Sequence, residues 1–293
     1  MDAMIPTVNR RPGKLWAFLQ FPLTRFLLAF LAIFIWIGTV QVGSKLAGVA
    51  PKGPLGAMIG LLIAVGVLII YVFYVRLLER RAATELAAKG AQRHAARGIL
   101  TGAALFCTTM LVLKLLGAWS YTGIYPLSAL AYPFIGAVFA GIVEETVVRG
   151  LLFRILEESL GSWIALGVSA VIFGLLHAFN PGASAVSTAA IALEAGVLLA
   201  AAFMYTRSLW FVMGLHFAWN FTEGGVFATS VSGGRPEGVI GVQFTGSDLL
   251  TGGAFGPEAS LPAVVICLAA GIAFIILAAR ADRVVKPFWM RNT

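Results

Sequence analysis

The sequence predicts an all-α, polytopic membrane protein with about eight transmembrane helices. Of 293 residues, 59% are hydrophobic and only 12% are charged. The mean hydropathy is +0.91, far outside the range of a soluble globular domain. Apolar runs recur from end to end, and each needs about 20 residues to cross roughly 30 Å of hydrocarbon. The net charge of +8 does not point to nucleic acid, because the basic residues sit in short clusters between apolar runs rather than along one face. Cys107 and Cys267 both fall inside apolar runs, where neither a disulfide framework nor a paired-thiol metal site is plausible.

Taken in chain order, Arg10, Arg11 and Lys14 precede an apolar run from Phe26 to Val42. That run is too long for a signal peptide, and seven more follow. The expected spans are 25–43, 55–77, 98–118, 131–156, 162–180, 186–206, 208–226 and 261–279. Residues 79–97 (ERRAATELAAKGAQRHAAR) are polar, basic and helix-prone, so an interfacial helix is expected there. A stretch rich in Gly, Ser and Pro, 227–260, reads as an external loop, and 120–225 as the catalytic core of a single membrane domain covering 1–293. No internal repeat is visible.

Orientation follows from the lysines and arginines, which are enriched on the cytosolic side of a membrane protein. With eight spans and both termini cytosolic, 17 of the 21 basic residues fall inside, and only Lys45, Lys52, Lys114 and Arg235 fall outside. An odd number of spans would scramble this split.

Ionisable groups at the centre of a membrane helix cost at least about 2.5 to 3.5 kcal/mol each, so they are kept for function or for pairing. The fourth span contains VEETVVRG, with Glu144 and Glu145 adjacent and Arg149 four residues after Glu145. This spacing puts Glu145 and Arg149 on one face as an ion pair. Glu144 points about 100° away, free for another partner. Such a pair is also read as a purely structural clip. The fifth span ends in FGLLHAFNP; His177, one turn before Asn180-Pro181, would by itself be an ordinary core histidine. In the seventh span His216 and Asn220 share a face at i and i+4, a stronger signal that competes with simple helix-to-helix hydrogen bonding. At 1.5 Å of rise per residue, Glu144, His177 and Asn220 lie about 20 Å from the cytosolic boundary and His216 about 14 Å. The four can therefore meet if their helices pack together.

A carboxylate with a histidine can take a proton from water, while a histidine and an amide can stabilise an oxyanion, which is hydrolysis of an amide or ester. Glu144, His177 and His216 can equally be read as ligands around a zinc ion, so the cofactor is either none or zinc at this stage. There is no HExxH motif. Glu194, in the sixth span, reads as a polar helix contact or as a partner of the histidines.

These residues resemble the CPBP intramembrane proteases, which include the CaaX prenyl endopeptidases and the bacterial Abi proteins. The EExxxR motif corresponds to Glu144, Glu145 and Arg149, FxxxH to Phe173 and His177, and HxxxN to His216 and Asn220. The resemblance covers about residues 79–225. It implies an eight-helix core with a cavity open to the cytosol, Glu144 and His177 as the base, His216 and Asn220 as oxyanion donors, and Glu145 with Arg149 shaping the cavity. The partners it implies are a membrane-associated peptide or protein substrate, prenylated or not, and the lipid bilayer, in a bacterial inner membrane. Two rival readings are a non-catalytic immunity or scaffold protein of the same fold and a transporter. The phrase TGGAFGPEAS resembles a channel motif but lies outside any span, and no inverted repeat supports transport.

Overall fold

The computed structural model describes residues 13–51 and 53–291, so Arg10, Arg11 and Lys52 of the charge count lie outside the described residues. The chain is helical, as expected. A short helix, α1 (Lys14–Leu19), leads into α2 (Pro22–Leu46) and α3 (Pro54–Leu77), the latter two opened by a proline in the first turn. Proline suits that position because its missing N–H would have no partner there. Next come α4 (Ala91–Leu115) and a long rod, Leu127–Leu160, which contains α5 (Ala131–Glu145), a π-helical stretch (Thr146–Phe153) and α6 (Arg154–Leu160).

The remaining spans are α7 (Ser162–Leu176), a rod made of α8 (Ala185–Ile191), a π turn (Ala192–Gly196) and α9 (Val197–Thr206), then α10 (Leu209–Asn220) continuing as a π turn (Phe221–Val226), and α12 (Leu261–Arg280). All eight expected spans are therefore present as helical segments. Among the described residues six helices are long and apolar enough to cross a membrane, and α7 is shorter. α7 stops at Leu176 rather than near residue 180, because Asn180-Pro181 bars a further turn of helix.

Residues 79–97 do not form one interfacial helix. Arg80 and Gly90 adopt left-handed backbone conformations, with φ of 53° and 84°, which break the chain into a 3-10 turn (Thr84–Leu86) and the start of α4. The turn is held by charge. Glu79 accepts from Arg25 (2.6 Å), Arg154 (2.7 Å) and Arg81 (2.8 Å), and Glu85 pairs with Arg81 (2.9 Å) and with the Tyr71 hydroxyl. Burial pushes the Glu79 carboxyl up, but Arg154, Arg25 and the Tyr74 hydroxyl outweigh it and hold the group down at about 2. On the same end of the bundle Glu157 pairs with Arg207, and the Ser162 amide donates to the Val285 carbonyl. The arginine-rich end is thus closed by ion pairs and tied to the C-terminal tail.

The opposite end is built differently. A two-stranded antiparallel ribbon pairs β1 (Trp119–Ile124) with β2 (Ile240–Phe244), from Trp119 opposite Phe244 to Ile124 opposite Ile240. Residues 227–260, expected as an external loop, contain β2 and the single turn α11 (Asp248–Thr251) and fold back onto the helix ends. The Gly233 amide donates to the Phe255 carbonyl (2.7 Å) and the Val239 amide to the Gly225 carbonyl (2.8 Å).

Candidate active site

Close backbone approach brings the polar residues together. α4 crosses α10 at Gly102, where a Cβ would lie 2.1 Å from the Leu215 carbonyl, so no larger residue fits. α5 meets α10 at Gly141, where a Cβ would lie 2.9 Å from the Met213 carbonyl. One turn beyond Gly141 on α5 stands Glu145, and one turn beyond Met213 on α10 stands His216. The close approach of these two antiparallel helices leaves the Glu145 and His216 side chains within hydrogen-bond reach of each other.

Glu145 is completely buried and its Oε1 accepts from Arg149 Nη1 (2.8 Å) and His216 Nδ1 (2.9 Å). Arg149, also fully buried, donates through Nη2 to the Ala195 and Gly196 carbonyls (both 3.2 Å). These carbonyls belong to the π turn of the sixth span, whose widened backbone leaves acceptors free. The guanidinium also lies over the Phe173 ring, 4.5 Å from its centroid. Phe173 touches both histidine rings, with centroids 4.8 Å from His177 and 6.0 Å from His216. One phenylalanine thus joins all three motifs.

His177 stands just past the end of α7, and its Nδ1 donates to the Phe173 carbonyl (2.8 Å). A carbonyl can only accept, so Nδ1 carries the proton and Nε2 is turned toward Glu144, whose Oε2 is 3.9 Å away. His216 is fixed the same way: Nδ1 donates to Glu145, leaving Nε2 free. Both imidazoles, Glu144, Asn180 and Asn220 line a cavity of about 370 Å³, together with Tyr132, Gly136, Thr229, Ser232 and Arg235. An apolar cavity of about 290 Å³, between Phe30, Phe34 and Ile37 of α2 and Val143, Val147 and Leu176, shares Glu144, His177 and Asn180 with it.

The structure brings Glu144, His177, His216 and Asn220 to one cavity, with Glu145 and Arg149 directly behind. Sequence reasoning assigned Glu145 to Arg149 alone and missed its bond to His216, which depends on the crossing of two distant helices. It also missed Glu258, whose Oε1 accepts from the Ser232 amide (2.7 Å) and hydroxyl (2.8 Å) and pins the loop to the cavity. Glu194 and Glu258 line a small space of about 20 Å³ beside His177, His216 and Asn220, room for one water. Glu223 lies deeply buried three residues after Asn220, a helical spacing the sequence displays.

Zinc can be tested on the donors. Among the described residues no three His, Cys, Asp or Glu side chains converge to hold a metal ion.

Fold and cavity together define a helical membrane protein with a carboxylate, two imidazoles and an amide gathered inside the bundle. Residues 126–222 match the family model of Rce1-like type II CAAX prenyl endopeptidases. The matched segment contains all three motifs, in agreement with their resemblance to CPBP intramembrane proteases. No curated protein and no solved structure matches the chain.

Proposed function

We propose that this protein is an intramembrane endopeptidase in which Glu144 and His177 activate a water molecule for attack on a peptide bond. The observation that carries this reading is the 3.9 Å gap between His177 Nε2 and Glu144 Oε2. It is too long for a hydrogen bond, yet one water about 2.8 Å from each atom spans it. The fixed Nδ1 proton on His177 makes its Nε2 an acceptor, so imidazole and carboxylate both draw on the same water.

The tetrahedral oxyanion that forms then needs donors. Asn220 supplies its amide. His216 donates from Nε2 when its ring carries protons on both nitrogens, a charge that Glu145 on Nδ1 balances. Arg149 in turn holds Glu145 in place. The proton taken from water leaves with the amine of the cleaved bond. The apolar cavity beside Glu144 suits the lipid-embedded part of a substrate, which supports a membrane-associated protein, prenylated or not, as the target.

Glu144→Gln keeps the shape and removes the base. It should fold and bind substrate yet lose cleavage by a factor on the order of 10² or more, measured by mass spectrometry on membrane peptides. A chelator in the same assay should leave the parent's activity unchanged. Near-parental cleavage by Glu144→Gln would overturn the assignment.

A further inference from the structure

The two ends of the bundle differ in a way that bears on where the substrate comes from. Of the basic residues in the charge split, 15 of the inside set and three of the outside set, Lys45, Lys114 and Arg235, are among the described residues. Apart from Arg149, buried within the bundle, the inside set gathers at the end closed by the Glu79, Glu85 and Glu157 ion pairs. By the enrichment of lysine and arginine on the cytosolic side, that end is cytosolic.

The cavity opens the other way. Its walls are the first two turns of α5 (Tyr132, Gly136), the turn after α7 (Asn180) and the returning loop (Thr229, Ser232), all at the ribbon end. Arg235, exposed, stands on its rim. Toward the arginine-rich end the site is sealed by side chains with essentially no exposure: Arg149, Leu151 and Phe153. The expectation of a cavity open to the cytosol and the expectation of cytosolic termini are therefore incompatible in this molecule.

We propose that the cavity opens on the non-cytosolic side of the membrane, and that its substrate is a membrane-anchored polypeptide presenting its scissile segment at that surface. A lipidated tail made in the cytosol would face the closed end. The orientation stands on charge and cavity geometry alone, while the substrate class rests on the protease reading.

Cysteine accessibility tests it on the full chain in bacterial spheroplasts. Arg235→Cys reports the cavity rim and Lys89→Cys the opposite end, against the parent, whose Cys107 lies in α4 and whose Cys267 is buried. A membrane-impermeant sulfonated maleimide should label Arg235→Cys at least tenfold more than Lys89→Cys in intact spheroplasts, and both after permeabilisation. Labelling of Lys89→Cys alone, or of both equally, in intact cells would overturn the orientation. A C-terminal green fluorescent protein should fluoresce and a C-terminal alkaline phosphatase should stay inactive; the reverse would also overturn it, even if Arg235→Cys reacted poorly. Proteoliposomes of known orientation separate the two parts. Should labelling agree while no membrane peptide is cut from the rim side, the protease reading fails and the orientation survives. Reversed labelling with cleavage still from the rim side leaves the protease and removes the proposal.

Discussion

Replacing Arg149 by alanine should cost the protein much of its stability. The guanidinium is fully buried and makes three hydrogen bonds, one to Glu145 and two to the carbonyls of Ala195 and Gly196. Breaking a buried ion pair by removing one partner costs about 3 to 5 kcal/mol, because the other charge is left without compensation. Each orphaned carbonyl adds about 1 kcal/mol, and loss of the contact with Phe173 about 1 more. The total is of the order of 5 kcal/mol or above, comparable with the whole folding free energy of a domain, about 5 to 15 kcal/mol. Arg149→Ala should therefore accumulate poorly in membranes and melt on the order of 10 °C below the parent in detergent. Arg149→Lys should recover little, since a single ammonium cannot reach Glu145 and both carbonyls with the geometry of the planar fork. The mechanism is isolated by combining Arg149→Met with Glu145→Gln, which removes both charges. The double variant should be less destabilised than the sum of the singles by about 2 kcal/mol or more. Additive losses, or an Arg149→Ala variant that melts like the parent, would refute the buried pair as a structural element.

Two further outcomes are expected. His216→Ala and Asn220→Ala should each lower kcat by roughly 10² while changing KM little, because oxyanion donors act in the transition state; a KM effect with kcat intact would make them binding residues. The Glu79 carboxyl, held at about 2 against an ordinary 4.5, contributes stability that is complete above its unfolded value and is lost as pH falls from about 4.5 toward 2. Its worth is on the order of 2 kcal/mol at neutral pH after solvent screening. Glu79→Gln should therefore melt lower at pH 7 and lose less on acidification; an unchanged acid slope would remove the arginine cluster as its cause.

Much of the site is legible in the sequence because it lies at short, helical spacings. Glu145 and Arg149, Phe173 and His177, and His216 and Asn220 are all i and i+4 pairs, and each meets or shares a wall as that spacing requires. What is hidden depends on contacts far apart in the chain. The bond from His216 to Glu145 joins residues 71 apart and exists only because Gly141 lets α5 approach α10. The π turns carry no composition of their own, yet one of them supplies the carbonyls that hold Arg149. In 227–260, glycine, serine and proline signal a loop, and the strand β2 and the turn α11 inside it carry no pattern that sets them apart. Nor does the composition signal that Glu258 would draw Ser232 back onto the cavity, since that tether is a single carboxylate in an otherwise unpatterned stretch.

The shortness of α7 and the widening of α10 into a π turn account for the cavity. Fifteen residues of α7 reach about 22 Å, well under the roughly 30 Å of hydrocarbon, and α7 starts from the arginine-rich end. The bundle therefore runs out of α7 before it reaches the far surface. His177 follows the last residue of α7, and Asn220 is the last residue of α10 before the backbone widens into a π turn. Irregular backbone at membrane depth is tolerated only where protein covers it or where it lines a polar cavity. Both conditions are met here: the 227–260 segment covers the helix ends, and the carboxylate, imidazole and amide groups line the space beneath it. Extending α7 by a turn, for instance by Asn180→Ala with Pro181→Ala, should carry His177 into regular helix and pull its ring out of reach of Glu144. Such a variant should lose cleavage while keeping the melting temperature within a few degrees of the parent, as only the end of one helix changes. Full activity in that variant would mean that the break after His177 is incidental to the site.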